Sequence, residues 1–162
     1  MEIRPLLAAD ARAVHRSLLG DPEVAAWYRS SGPFSLAECE EMVTRKVAHR
    51  AAHRFGWSLA WEGETCVGWG VARSHWRRGI ASRLGQHALT EVSVLGLRGV
   101  VAYTRQDNVA SRGVMSGLGM AYEKTFDFDG QPHVLYRKPL AQGQPTDGGP
   151  PARPARRIGC RR

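Results

Sequence analysis

Apolar positions along the chain follow two rhythms. Leu36, Cys39, Val43, Val47 and Ala51 recur every three to four residues with charges opposite, which predicts an amphipathic helix running to about His53. Ser35-Leu36-Ala37-Glu38 opens it as a capping box, hydroxyl to the N3 amide and carboxylate back to the cap amide. Ile80, Leu84, Ala88, Val92 and Leu95 repeat the rhythm and predict a second long helix, ended by Gly96. Shorter helices are expected over 11–19, with Asp10 as cap and Ala13, Val14 and Leu18 on one side, and over 22–28, behind Asp21-Pro22. A third, capped by Asp107 or Asn108, turns Ala110, Val114 and Leu118 inward and closes at Gly119.

Alternating or compact apolar runs predict strands over 2–6, 56–61, 65–71, 100–104, 120–128 and 133–138. Glu62-Gly63-Glu64 and Asp129-Gly130 read as hairpin turns. A strand, the helix from Ile80 and a further strand imply a right-handed parallel crossover. From Ala141 the pattern stops: Gly, Pro, Gln and Arg dominate, and such a segment buries too little to offset its ordering entropy. The expected organisation is one domain over 1–140 and a disordered basic tail over 141–162.

Composition adds little that discriminates. The formal net charge of the 162 residues is +8, of which the tail, with five arginines and one aspartate, supplies half. A basic body suits an anionic ligand, a coenzyme or a nucleic acid alike. No apolar run approaches the length of a membrane span and Met1–Pro5 is not a signal peptide, so a cytoplasmic protein with no membrane partner is expected. Cys39, Cys66 and Cys160 are scattered and read as reduced thiols; His49 and His53 lack a third ligand, so no metal is expected.

The chemistry concentrates in residues 69–84. A short apolar run enters His75-Trp76-Arg77-Arg78-Gly79-Ile80-Ala81 and leads straight into the second long helix. The first amides of a helix have no intrahelical partner and sit at the positive end of its dipole, a natural place for phosphate. Gly79 opens the backbone to a ligand, and Arg77 and Arg78 add forked donors. There is no Gly-Lys-Ser/Thr of a P-loop. A dinucleotide fingerprint begun at Gly68-Trp69-Gly70 would need its third glycine where Arg73 stands.

Three segments in order resemble the GNAT N-acyltransferase superfamily, in particular its RimJ/RimL-type branch: His75 to Ala81, Val101 to Ser111 with Leu118-Gly119-Met120, and His133-Val134-Leu135-Tyr136-Arg137. The resemblance covers 1–140. It implies an α+β fold with a mixed sheet and an N-acetyltransferase taking acetyl from acetyl-CoA to a primary amine, either a protein N-terminus or a small molecule, by direct attack. The implied pyrophosphate seat is the run Arg77, Arg78, Gly79, Ile80, Ala81 and Ser82. Pantetheine would pair with Val71, Ala72 and Arg73 in the manner of an added strand, with an amide of Val71 or Ala72 left for the oxyanion. Asn108 matches the asparagine that holds the pantetheine arm, and Ser111 the serine facing the leaving thiolate. Tyr136 and Tyr122 are candidates for the acid that returns a proton to sulfur, although both also suit a packed strand.

Set against that pattern, Cys66-Val67-Gly68 runs into Trp69-Gly70-Val71 with no loop between them, as though a strand and its hairpin were deleted near residue 68. One strand of the central sheet and the acidic residue that would serve as general base have no counterpart. Arg77 stands where the family usually has glycine. Two further readings follow: an acyl-CoA-binding remnant that does not turn over, and a basic RNA- or ribosome-associated protein resting on the tail, the latter without an aromatic stacking surface or motif to support it. The acceptor is expected against 11–55, with Trp27 and Tyr28 read as core. An open sheet edge would allow a homodimer.

Overall fold

The computed structural model describes residues 2–62, 65–67, 70–95 and 97–140. The expected tail, Gly96 and the Gly63-Glu64 turn lie outside them, as do Gly68 and Trp69, the point of the inferred deletion.

Strand β1 (Glu2–Pro5) leads through a 3₁₀ turn, Ala8–Asp10, into helix α1 (Ala11–Val14), which widens into a π turn over His15–Leu19. Gly20 N–H closes that turn on the His15 carbonyl at 2.8 Å. Asp10 does not cap α1 as expected; its carboxylate accepts from Arg4 twice and from the Leu7 amide, all at 2.8 Å. Helix α2 is Pro22–Ala25, with Asp21 accepting from the Glu23 and Val24 amides. Helix α3, Leu36–His53, starts on the predicted Ser35/Glu38 capping box. Its stripe is buried at Cys39 and Val43, against Leu6, Val14, Leu18, Leu19 and Val24.

Strands β2 (Ser58–Glu62) and β3 (Thr65–Val67) complete an antiparallel sheet ordered β1-β2-β3. After α4 (Ile80–Ser93), β4 (Gly99–Arg105), α5 (Val109–Gly117), β5 (Ala121–Phe128) and β6 (Gln131–Pro139) form a second sheet, ordered β4-β6-β5 and also antiparallel. Asp129 (φ 55°) and Gly130 (φ 68°) join β5 to β6 as a two-residue turn with both φ positive, the form whose twist suits a hairpin.

The expected parallel crossover is not present among the described residues. β3 stops at Val67, and 70–72 run as coil into a 3₁₀ turn at Arg73–His75, so no strand lies beside β4 to receive it. Helix α4 bridges the two sheets instead. Ile80 and Leu84 pack with Ile3 of the first sheet and with Val71 and Ala72 of the coil, while Leu89 packs with Val134 and Tyr136 of the second sheet and with Met115 and Leu118 at the end of α5.

Among the described residues β4 therefore pairs on one side only, with β6. The Arg98 carbonyl accepts from Leu140, and the Gln106 amide donates to Pro132. In this register the even-numbered residues bond to β6, and Gly99, Val101 and Tyr103 turn N–H and C=O outward.

Candidate active site

The predicted phosphate turn is built at the start of α4. Arg77 (φ 61°) and Gly79 (φ 74°) both take the left-handed conformation. Glycine adopts it without a Cβ penalty, whereas Arg77 holds it at a cost of about 1–2 kcal/mol. The residue changed relative to the family pattern thus keeps the backbone shape glycine would give. No side chain caps α4, and the space a Gly79 Cβ would occupy has no atom within 4 Å. The amides of Ile80, Ala81 and Ser82 are at the helix start, and Gly79 offers its carbonyl to Arg83. Arg77 and Gly79 are exposed, as is Ser82, while the Ile80 side chain anchors the turn in the core.

The stretch expected to pair with pantetheine is not a strand. The Val71 carbonyl accepts from the Trp76 indole at 2.6 Å, and the Ala72 carbonyl from the His75 amide at 2.8 Å. Arg73 pairs with Glu23 on α2. Residues 71–72 are coil rather than strand, and each carbonyl already accepts one hydrogen bond within the chain.

Asn108 caps α5, its side-chain oxygen accepting from the Ser111 amide at 3.0 Å. The cap fixes the buried amide group and brings Asn108 and Ser111 together. Beside them, Arg105, Gln106, Asp107, Val109, Arg112, Gln131 and Pro132 line an open concavity of about 570 Å³. Arg105 grips Asp107 through two hydrogen bonds, of 3.0 and 2.6 Å, holding that carboxyl below the usual range. Tyr136 lies apart from this mouth, 7% exposed in the core and stacked edge-on against Tyr122 at 6.0 Å. Tyr28 packs against the first core as expected, but Trp27 is exposed, under the Arg105 guanidinium.

The sequence reading missed the grouping of Trp27, Arg105 and His133 around a second hollow. Their proximity follows from the hairpin register and from the return of 26–30 to β4. The one signal for it was the alternation that places Tyr103 and Arg105 on one face.

A sequence profile of the GNAT acetyltransferase domain matches residues 1–121, and the chain belongs to that family. Among solved structures it is similar to RimL, the ribosomal L7/L12 alpha-N-protein acetyltransferase, in complex with coenzyme A. The two are 16% identical over 86% of this chain and 98% of that one, with a TM-score of 0.70. A ribosomal-protein-alanine N-acetyltransferase from Brucella melitensis is 18% identical over 86% and 100%, at 0.68. A phosphinothricin acetyltransferase from Sinorhizobium meliloti, bound to AcCoA, is 17% identical over 91% and 94%, at 0.72. At these identities the likeness establishes the fold, with RimL-type enzymes among its structural neighbours. Among the described residues, no group of three or more His, Cys, Asp or Glu is placed to hold a metal, and no helix is long and apolar enough to cross a membrane.

Proposed function

We propose that the domain over 1–140 is an acetyl-CoA-dependent N-acetyltransferase acting on a primary amine. The observation that carries this reading is the uncapped, unobstructed start of α4. Left-handed residues at Arg77 and Gly79 present the amides of Ile80, Ala81 and Ser82 outward, beside the guanidinium-bearing Arg77 and Arg78. That is an anion seat of the kind a pyrophosphate takes.

In this reading Asn108, held by its own cap, directs its amide nitrogen to the pantetheine arm, and Ser111 offers its hydroxyl to the departing thiolate. An amide of Val71 or Ala72 serves the oxyanion. The amine nitrogen attacks the thioester carbonyl, the C–N bond forms, the C–S bond breaks and the ammonium proton is taken by a base. Tyr136, enclosed in the core, serves packing.

The test is a thermal melt of the full chain with and without acetyl-CoA. Ligand at about 100 times its dissociation constant contributes roughly 2.7 kcal/mol, or about 5–10 °C at this chain length. Gly79→Glu fills the open seat with a carboxylate and should abolish the shift. No shift for the parent chain would overturn the reading. A shift without product from amine acceptors would favour an acyl-CoA-binding remnant, which the coil at 70–72 also fits.

A further inference from the structure

We infer that His133 is the general base of this site, taking the acceptor's proton on Nε2. The inference rests on the acetyl-transfer reading and supplies the group that reading lacks.

His133 is 8% exposed on β6, paired in register with Arg105 at the end of β4 that leads to Asn108. Its Nδ1 lies 3.0 Å from the Gln131 carbonyl, which can only accept, so Nδ1 carries the hydrogen. In the neutral ring the lone pair is then on Nε2. Among the described residues no protein group bonds Nε2, and the side chain lines a hollow of about 20 Å³ between Ala26–Ser30 and the β5–β6 turn. That volume holds one water-sized group, an amine head or a bridging water. Tyr103, Phe126 and Phe128 surround the ring at centroid distances of 6.1, 5.9 and 5.4 Å, which fixes its plane.

Three rival carboxylates around the site are committed: Glu23 is paired with Arg73, Asp107 with Arg105 and Glu123 with Arg137. His75, bonded through Nδ1 to the Ser74 hydroxyl, stands in the phosphate turn and does not line the hollow. The titratable and charged groups facing His133 are Tyr103 and Arg105 from β4, Asp107 from the following loop, Asp129 from the hairpin turn, and Tyr28 and Arg29 from the segment after α2. Of these, Asp129 is the one other carboxylate lining the hollow. In the step, the amine nitrogen bonds to the acetyl carbon, its proton passes to Nε2 directly or through one water, the C–S bond breaks, and the imidazolium returns the proton to the thiolate or to solvent.

The experiment uses the full chain, acetyl-CoA and two probe acceptors, the pentapeptide amide Ala-Ser-Gln-Ala-Gln and phosphinothricin. His133→Gln should lower kcat about 100-fold or more. It should also leave the acetyl-CoA Kd unchanged. His133→Ala should regain activity with added imidazole, which a packing role would not produce. Asp129→Asn should lower kcat far less than His133→Gln does. Retention of more than half of kcat in His133→Gln, or transfer of the loss to Asp129→Asn, would overturn the assignment. If the parent chain acetylates neither probe, the acetyl-transfer reading fails and the assignment of His133 falls with it; an active parent with an active His133→Gln overturns the assignment alone. Independently of turnover, nitrogen NMR of the imidazole should show the Nδ1–H tautomer; an Nε2–H tautomer would overturn the assignment.

Discussion

Gly70 shows what one missing methyl group does. A Cβ there would lie 1.9 Å from the Tyr28 hydroxyl and 3.1 Å from Leu18 Cδ1, so the phenol occupies the space glycine leaves. Burial pushes the Tyr28 hydroxyl up from its ordinary value. Gly70→Ala should cost about 1–3 kcal/mol by overpacking. Tyr28→Phe combined with it should recover part of that loss, measured as a coupling energy in urea denaturation. Asp10 carries a different residue-level signature. Burial alone would raise its carboxyl, but the Arg4 guanidinium and the Leu7 amide outweigh it and hold the value below the ordinary range. A group whose folded value lies below the unfolded one stabilises fully above about pH 4 and loses that contribution as pH falls through the folded value. Asp10→Asn should therefore cost about 2–3 kcal/mol at pH 7 and progressively less as pH falls below about 4, read from urea midpoints along that range. Neither contact was legible in the sequence. Gly70 read as a strand residue and Asp10 as a helix cap, because both partners come from other elements.

At the scale of elements, what depends on local chemistry was legible. The Ser35/Glu38 box, the Asn108 cap, the Asp129-Gly130 turn and the buried positions Cys39 and Val43 of α3 and Ile80, Leu84 and Val92 of α4 all depend on residues within a few positions of one another, whereas Ala51 is exposed and Leu89 is buried where Ala88 was expected. Glu38 receives the Arg29 guanidinium as well as the Ser35 groups, which holds its carboxyl down to about 2. The start of α3 should thus keep its ionised cap through mild acid. Asn108→Ala removes the acceptor for the Ser111 amide and should cost about 1 kcal/mol of stability. If the amide nitrogen also holds pantetheine, the same variant should weaken acetyl-CoA binding beyond that loss, whereas Asn108→Ser, which keeps a cap oxygen, should restore stability without restoring affinity. The parallel crossover was not legible. Strand–helix–strand spacing implies it only where the first strand extends to the helix, and here the chain turns to coil at 70–72.

The two sheets share no strand pairing among the described residues, so the helix laid across them carries much of their coupling. Ile80 and Leu84 reach the first sheet's cluster, Leu89 and Val92 lie further along, and Leu118 sits where a Gly85 Cβ would be, 2.4 Å from its Cδ1. Arg50 at the end of α3 grips Glu91 on α4 and reaches the Gly56 carbonyl, adding a polar tie to the hydrophobic one. If α4 is the splint, weakening its hold on one sheet must be felt by the other. Leu84→Ala touches only the first sheet's cluster and should cost about 2–5 kcal/mol. The amides of β4 and β6, remote from the cavity, should lose hydrogen-exchange protection by the same free energy as those of β1 and β2. Equal losses mean the chain opens as one cooperative unit despite the missing pairing. Losses confined to β1 and β2 would mean that the second sheet, with α5 and the rest of α4, is a stable body of its own.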